Sequence, residues 1–242
     1  MNDDIRNQLA PTGVLRAALN MANNLLNTGE TADGEPDGVA PDLARALAER
    51  IGTGVELIRF ASPGEVADAA PDNVWDIGLI GAEPVRAEKI DFTAAYVEIE
   101  ATYLVPAGSG LTRIEDVDAK GIQIAVSGRS AYDLFLSRAL KNAELVRGKG
   151  VTGASEMFVS ENLDALAGLR PALAEVAAGL PGSRILDGQF TAVQQAVGVP
   201  KGRDEAARFV SAFVEEAKAS GFIARLIEKH GVAGRLTVAG AA

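Results

Sequence analysis

Two long stretches without an internal turn, Tyr96–Val105 and Thr191–Val199, constrain the fold more than any other feature of the sequence. Both are rich in β-branched residues, and both are longer than an ordinary strand of about five or six residues. A strand of this length can leave one globular body and enter another. The pair therefore predicts two lobes, with the chain passing twice from one to the other.

The chain before the first stretch alternates strands with helices. Short apolar runs predict buried strands, and amphipathic or proline-capped segments predict the helices between them. The predicted elements are strands at Val14–Asn20, Val55–Phe60 and Asp76–Ile80, helices at Pro41–Ile51 and Ser62–Ala70, and a short helix carrying Arg86. This order is typical of a doubly wound α/β lobe. In such sheets, ligands lie beyond the carboxyl ends of the strands, here near Asn20 and Asn23.

The same alternation restarts after Val105. The elements predicted there are strands at 122–126, 145–147, 164–169 and 184–186, and helices at 130–140, 153–161 and 171–178. Amphipathic helices at Asp204–Ser220 and Phe222–Lys229 would complete the first lobe. The predicted fold is α/β, with two doubly wound lobes joined by two hinge strands. Lobe one comprises residues 1–98 and 194–242, lobe two comprises residues 99–193, and a ligand cleft is expected between them.

Composition excludes several classes of function. The 242 residues carry a formal net charge of −10, which disfavours nucleic acid or an anionic membrane as a partner. Cysteine is absent, so disulfides, thiol catalysis and Cys-ligated zinc are excluded. His230 is the only histidine and is expected to be a solvated cation at a helix end. We expect neither a cofactor nor a metal.

The N-terminal segment, Met1–Gly13, lacks the apolar core of a secretory signal and contains two early acidic residues. No run of about 18 apolar residues follows that would insert into a bilayer. The expected location is the cytoplasm if the chain is full length, or the periplasm if a signal has been removed.

The segment Trp75–Pro106 carries a motif that resembles a known family. The matching residues are Asp76, Arg86, Asp91, Phe92, Thr93 and Tyr96. They resemble the arginine and the DF(S/T)-x-x-Y segment of the bacterial solute-binding proteins of family 3, which are mostly amino-acid receptors of ABC importers. The resemblance covers the chain from about Leu15 to Gly231 and implies a type II periplasmic binding protein fold. Signatures of one subgroup lie at Gln8–Arg16, Ser130–Leu136 and Asp187–Ala196.

The resemblance also implies a ligand site. In the family, an arginine at the place of Arg86 and a turn at the place of 127–130 hold the ligand carboxylate. That turn follows a predicted strand and opens a helix, where free N–H groups and the helix dipole favour an anion. Alternatively, Ser130 only caps the helix, with Asp133 three residues later. The expected ligand-binding residues are Asn20, Asn23, Glu83, Arg86, Ser127, Gly128, Arg129, Ser130, Tyr132, Arg170 and Gln194.

The sequence departs from the family where the ligand ammonium is bound. Amino-acid receptors commonly carry an Asp in the second lobe, but Leu169 stands there, with Arg170 beside it. Three alternatives follow. Glu83, helped by Glu98 or Glu100, supplies the negative charge; the ligand has no ammonium; or Glu83 and Arg170 form an ion pair that latches the lobes.

The sequence therefore predicts a receptor for a small polar carboxylate-bearing solute, an amino acid or related organic acid, that closes through hinges at Tyr96–Tyr103 and Gln194–Gly198. In the family, such a receptor delivers its ligand to ABC transporter membrane subunits, whereas a cytoplasmic copy would act as a sensor. One alternative is a dehydratase-like enzyme, which needs a carboxyl group of raised pKa such as Glu83, Glu98 or Glu100. Another is a regulatory effector module, although no DNA-binding segment is attached.

Overall fold

The computed structural model describes residues 3–241, and the chain divides into two compact units. Unit 1 contains the chain up to Glu98 and from Gln194 onwards, and unit 2 contains Ile99–Val193. Both boundaries fall inside long strands. The chain therefore passes from one unit to the other without an intervening loop.

The described residues form 13 strands and eight α-helices. The strands are β1 (Val14–Asn20), β2 (Gly29–Glu30), β3 (Pro36–Asp37), β4 (Gly54–Phe60), β5 (Ile77–Gly81), β6 (Ile90–Phe92), β7 (Val97–Val105), β8 (Gln123–Ser127), β9 (Glu144–Gly148), β10 (Ala165–Leu169), β11 (Arg184–Ile185), β12 (Thr191–Pro200) and β13 (Thr237–Val238). The helices are α1 (Asp3–Leu9), α2 (Val39–Ile51), α3 (Pro63–Asp68), α4 (Ala131–Ala139), α5 (Gly150–Ser160), α6 (Arg170–Ala178), α7 (Asp204–Ala219) and α8 (Phe222–Lys229). None of these helices has both the length and the apolar composition that a membrane span requires.

Unit 1 is built around the apolar strand β1. This strand pairs in parallel with β4 on one side and with β5 on the other, and β12 then pairs antiparallel with β5. Leu15 and Leu19 of β1 are fully buried. The helix α2 buries Leu43, Leu47 and Ile51, whose spacing places them on one face of the helix. The carboxyl ends of β1 and β5 carry the loops that begin at Asn20 and Gly81.

Unit 2 repeats this plan. Its strand β8 pairs in parallel with β9 and β10, and β7 pairs antiparallel with β10. One cluster of buried side chains includes Tyr103, Val126 and Leu136, and a second includes Phe158 and Leu163. The predicted α/β class is confirmed, because each unit contains a mixed sheet with a parallel core, β4–β1–β5 in unit 1 and β9–β8–β10 in unit 2, whose strands alternate with helices along the chain.

The predicted short helix carrying Arg86 is wrong. Residues 84–89 form turns, in which the carbonyl of Glu83 accepts hydrogen bonds from the backbone N–H groups of Arg86 (2.9 Å) and Ala87 (3.0 Å). The next carbonyl that accepts such bonds is that of Arg86, from the N–H groups of Lys89 and Ile90, so the turns do not continue as one regular helix before β6 begins. The strands β2, β3 and β13 were not predicted, because two-residue strands leave no periodic pattern in a sequence.

The expectation that His230 is a solvated cation is also wrong. Its side chain is only 4% exposed, and Nε2 lies 2.8 Å from Oδ2 of Asp42. His230 follows the last residue of α8, and Asp42 lies in the first turn of α2. The imidazole therefore joins two helices of unit 1.

Candidate functional site

The turn of residues 127–130 in unit 2 connects the end of β8 to the start of α4. Ser130 is the N-cap of α4, and its Oγ accepts a hydrogen bond of 3.1 Å from the backbone N–H of Asp133. The side chains of Ser127 and Ser130 are buried, whereas Arg129 is exposed. Ser130 therefore has the N-capping role that was the alternative interpretation of the sequence.

The backbone N–H groups of residues 128–130 are already used inside the turn. They donate from Gly128 to Gly148 O (3.0 Å), from Arg129 to Asp133 Oδ2 (2.7 Å) and from Ser130 to Ser127 O (3.2 Å). The expectation of free donors is therefore wrong at these three positions. The N–H groups of Ala131 and Tyr132 come next, in the first turn of α4, where a helix offers no internal acceptor. An anion at this turn would meet those two donors.

Arg129 has an unusual backbone conformation, with a φ of 62°. Residues other than glycine rarely adopt the left-handed region, and such residues concentrate at functional sites. The conformation is held by the bond from its N–H to Asp133. Arg147 in turn places Nε 3.0 Å from Oδ1 of Asp133, so the negative charge of that carboxylate is compensated beside the turn.

Tyr132 lies under the turn with its phenol buried. It forms hydrogen bonds with the hydroxyls of Ser130 and Ser127. Burial raises the pKa of Tyr132 above its ordinary value, and the two hydrogen bonds only partly oppose that shift. The phenol is therefore a neutral group, able to donate a hydrogen bond.

Arg170 is engaged within unit 2. Its Nε lies 2.6 Å from Oε2 of Glu100, and its Nη2 donates to the carbonyls of Leu186 and Gly188. Arg170 is the first residue of α6, immediately after β10. The preceding residue, Leu169, packs against the core of unit 2. Glu100 is therefore a paired carboxylate.

Asn20 and Asn23 of unit 1 shape the loop that follows β1. Their Oδ1 atoms accept hydrogen bonds from Ala22 N and Leu25 N, each 3.2 Å long. Both side chains are buried, and neither Nδ2 group bonds to another described residue. These asparagines are local turn formers whose amide donors are left for another group.

Arg86 is held against the end of β5. It is 4% exposed, and its Nη1 donates to the carbonyl of Gly81 over 2.6 Å. Glu83, at the start of the same turn, is half-buried. The structure thus brings Glu83 and Arg86 into one turn that begins where the central sheet of unit 1 ends.

Unit 1 also contains a cavity of about 410 Å³. Its lining residues are Ala82, Thr93, Ala94, Ala95, Glu98, Gln194, Ala239, Gly240 and Ala241. The backbone N–H of Ala82 donates to Gln194 O over 2.8 Å, which joins two of its walls. Gln194 is the one member of the predicted site in this lining, and Glu98 was considered only as an alternative source of charge.

The C-terminal segment forms a wall of this cavity, which sequence reasoning missed. In β13, Thr237 pairs with Glu98 and Val238 with Val97 of β7, and the N–H of Ala239 then donates to Tyr96 O over 3.2 Å. The segment 237–241 consists of threonine, valine, two alanines and a glycine, and it carries no charged side chain. Nothing in its composition indicates a lining role.

Comparison with solved structures gives full-length similarity to ligand-binding proteins. The cysteine-binding protein from Campylobacter jejuni is 18% identical, with a TM-score of 0.77, and the match covers 99% of this chain and 100% of that one. AbpA from Streptococcus pneumoniae, an amino acid ABC transporter substrate-binding protein bound to L-arginine, is 21% identical, with a TM-score of 0.74 and coverage of 92% and 96%.

A third similar structure is the ancestral amino acid-binding protein AncCDT-1, a precursor of cyclohexadienyl dehydratase. It is 23% identical, with a TM-score of 0.73, and the match covers 92% of this chain and 97% of that one. At these identities the likeness establishes the fold, which is that of type II periplasmic binding proteins.

Comparison with curated protein sequences gave no match. The family model described as bacterial extracellular solute-binding proteins, family 3, matches residues 18–233, most of the chain. This chain therefore belongs to the bacterial extracellular solute-binding proteins of family 3.

Proposed function

We propose that this chain is a receptor that captures a small polar solute bearing a carboxylate, an amino acid or a related organic acid. It serves an ABC-type transporter or acts as a related sensor. The observation that carries the proposal is the family match over residues 18–233. Solved structures with the same fold include a cysteine-binding protein and a substrate-binding protein bound to L-arginine.

In this proposal, the turn of residues 127–130 receives the solute carboxylate. The N–H groups of Ala131 and Tyr132 lie at the positive end of the α4 dipole, and the exposed side chain of Arg129 adds a full positive charge. The Asp133–Arg147 pair supports this role, because Arg147 offsets the negative charge of a carboxylate that lies beside the turn.

Unit 1 offers neutral and charged groups that suit a solute of the proposed class. The amide donors of Asn20 and Asn23 and the side chain of Gln194 suit a polar ligand. Arg86 remains a proposed carboxylate contact on the family motif, and its bond to Gly81 fixes its position. Glu83 is a proposed contact beside it. We assign Arg170 instead to its pair with Glu100, which shapes the surface of unit 2.

The proposed hinges are the two strands in which the chain changes unit, β7 at Glu98–Ile99 and β12 at Val193–Gln194. A few residues at such positions can absorb the backbone rotation of a closing motion. Solute binding would then favour a closed state. That ligand-dependent state would be the signal that a transporter or another partner reads.

A thermal-shift screen over amino acids, dicarboxylates and keto acids tests the proposal. A ligand at a hundredfold excess over Kd stabilises a protein by about 2.7 kcal/mol, which raises the Tm of a chain of this size by roughly 5–10 °C. We expect at least one solute of the panel to raise the Tm by this amount. Small-angle scattering of the protein with that solute should show a smaller radius of gyration. A panel that leaves both the Tm and the radius of gyration unchanged would count against a receptor role.

A dehydratase-like enzyme is the second candidate. It is favoured by the likeness to AncCDT-1, a precursor of cyclohexadienyl dehydratase. Such an activity requires a carboxyl group placed to move a proton, and Glu83 and Glu98 are the candidates in unit 1. Loss of turnover with binding retained in Glu83→Gln or Glu98→Gln would support the enzyme. Binding of a cyclic carboxylate without any turnover would exclude the dehydratase-like enzyme.

A further inference from the structure

Unit 1 contains a cluster of three side chains that are able to bind a metal ion. Asp37 lies in β3, Asp42 lies in the first turn of α2, and His230 directly follows α8. One nitrogen or oxygen atom of each side chain lies within 4.8 Å of the corresponding atoms of the other two. Imidazole and carboxylate groups are common ligands of Zn²⁺. The sequence led us to expect no metal, because 188 positions separate Asp42 from His230.

Asp42 orients the imidazole of His230. Its Oδ2 lies 2.8 Å from Nε2 of His230, and the carboxylate also accepts hydrogen bonds from Lys229 (2.6 Å) and Arg45 (3.0 Å). An ionised carboxylate only accepts hydrogen bonds, so Nε2 carries the proton of the shared bond. In a neutral imidazole, the other nitrogen, Nδ1, then has a free lone pair. A carboxylate bonded to the far nitrogen is the usual companion of a histidine that binds a metal through the near one.

Nδ1 of His230 faces the carboxylate of Asp37. The side chain of His230 is 4% exposed, and its Nδ1 lies 3.9 Å from Oδ2 of Asp37. This distance is too long for a hydrogen bond. Within residues 3–241, neither Nδ1 nor the Asp37 carboxylate has a hydrogen-bond partner. The structure thus places an oriented nitrogen and a carboxylate opposite each other without a bond between them.

The separation of these two groups suits a metal ion. A Zn²⁺ ion bound tetrahedrally at about 2.1 Å holds two ligand atoms about 3.4 Å apart. Asp37 has to approach His230 by only about 0.5 Å to reach that geometry. Its side chain is 36% exposed, so it is able to make this movement. The net charge of −10 also attracts cations to the protein.

We infer that His230 Nδ1 and the Asp37 carboxylate bind a divalent transition metal ion such as Zn²⁺, with water as its other ligands and Asp42 orienting the ring. This inference goes beyond the proposed function and does not depend on it. The ion would connect β3 to the end of α8. Because Thr28 N donates to Asp37 O over 2.8 Å, the ion would also restrain the segment that follows β1. Two protein ligands predict weaker binding than the four of a structural zinc site.

The only histidine of the chain makes this site directly observable. ZnCl₂ is titrated into isotope-labelled protein at neutral pH while NMR follows the two ring nitrogens of His230. MgCl₂ is the reference, because Mg²⁺ prefers oxygen ligands. We expect a saturable change with Zn²⁺ that is larger at Nδ1 than at Nε2, and no change with Mg²⁺.

Asp37→Asn tests the second ligand. It should weaken Zn²⁺ binding about tenfold or more. The variant should keep its fold, because the Asp37 carboxylate makes no hydrogen bond to any residue that the structure describes. Asp33→Asn removes the same charge from an exposed position between β2 and β3, and it should change the affinity by less than about twofold.

Lys229→Gln separates metal binding from a loss of structure. The ammonium of Lys229 is 61% exposed and lies beside the cluster, where its charge opposes a bound cation. Its removal should tighten Zn²⁺ binding by about fivefold, whereas damage to the fold would weaken it.

Three results overturn the inference. The first is the absence of a saturable change at His230 below about 1 mM ZnCl₂. The second is a change centred on Nε2, which would place the ion on the side of Asp42. The third is equal Zn²⁺ affinity in the wild type and Asp37→Asn.

Discussion

Arg170 places its Nε 2.6 Å from Oε2 of Glu100, and its Nη2 reaches the backbone carbonyls of Leu186 and Gly188. Both charges are therefore paired with each other within unit 2. Glu100 is therefore removed from the carboxylates that were considered as partners of a ligand ammonium. Glu98, two residues earlier in β7, is paired with no Lys or Arg among residues 3–241, which the structure describes.

The Arg170–Glu100 pair should contribute little to stability. The two side chains are 32% and 56% exposed, so water screens their attraction. We expect Glu100→Gln to change the free energy of unfolding by less than about 1 kcal/mol in urea denaturation. A loss of more than about 2 kcal/mol would show that Arg170 depends on Glu100 to keep its carbonyl contacts.

Replacing Ser130 by alanine should affect both stability and binding. Loss of the cap of α4 should cost about 1 kcal/mol of unfolding free energy. Ser62→Ala is a matched control, because Ser62 caps α3 by the same bond, from Glu65 N over 3.2 Å. Both variants should lose similar stability, but only Ser130→Ala should weaken solute binding, by about tenfold. Equal affinities in the two variants would remove the 127–130 turn from the site.

Asp76 should be one of the most sensitive positions for stability. It is fully buried, and it accepts hydrogen bonds from Arg16 Nε (2.9 Å), Arg16 Nη2 (2.8 Å) and Arg203 Nη1 (2.8 Å). Asp76→Ala leaves two largely buried guanidinium groups unpaired, which should cost about 3–5 kcal/mol in denaturant unfolding. Asp72→Ala, at an exposed position nearby, should stay within about 0.5 kcal/mol of the wild type. Similar effects at both positions would contradict this account.

Asp42 should make stability depend on acid pH. Burial alone would raise the pKa of Asp42, but hydrogen bonds from Lys229 (2.6 Å) and His230 (2.8 Å) outweigh it and leave the pKa below its ordinary value. A lowered folded-state pKa means that the stabilisation is present above the unfolded value of about 3.9 and is lost as pH falls through the folded value.

Unfolding free energies measured from pH 6 to acid pH test this assignment. The gap between the wild type and Asp42→Asn should be largest above about pH 5 and should shrink as the pH falls. Asp33→Asn, at an exposed position, should run parallel to the wild type throughout. A gap that is constant with pH would mean that Asp42 acts through packing and not through its charge.

The elements with strong patterns were predictable from the sequence. The apolar run at 14–20 and the i, i+4 spacing of Leu43, Leu47 and Ile51 lead directly to β1 and α2, because burial of one face dictates those patterns. The segment around Arg86 was predicted as a helix because a local pattern does not reveal that β6 begins four residues later.

Contacts between distant residues were not predictable. His230 bonds to Asp42 across 188 positions, and Arg170 bonds to Glu100 across 70. Such pairs depend on which helices and strands pack against each other, and a local sequence pattern carries no information about that packing. For the same reason the C-terminal wall of the unit 1 cavity was missed, although the alternation of strands and helices indicated the α/β class.

The most direct test of the account is a calorimetric titration of the wild-type protein with the solute that gives the largest thermal shift. We predict saturable one-site binding of a compound that carries a carboxylate, weakened by Ser130→Ala and unaffected by Ser62→Ala. The absence of saturable heat from every amino acid, dicarboxylate and keto acid would contradict it.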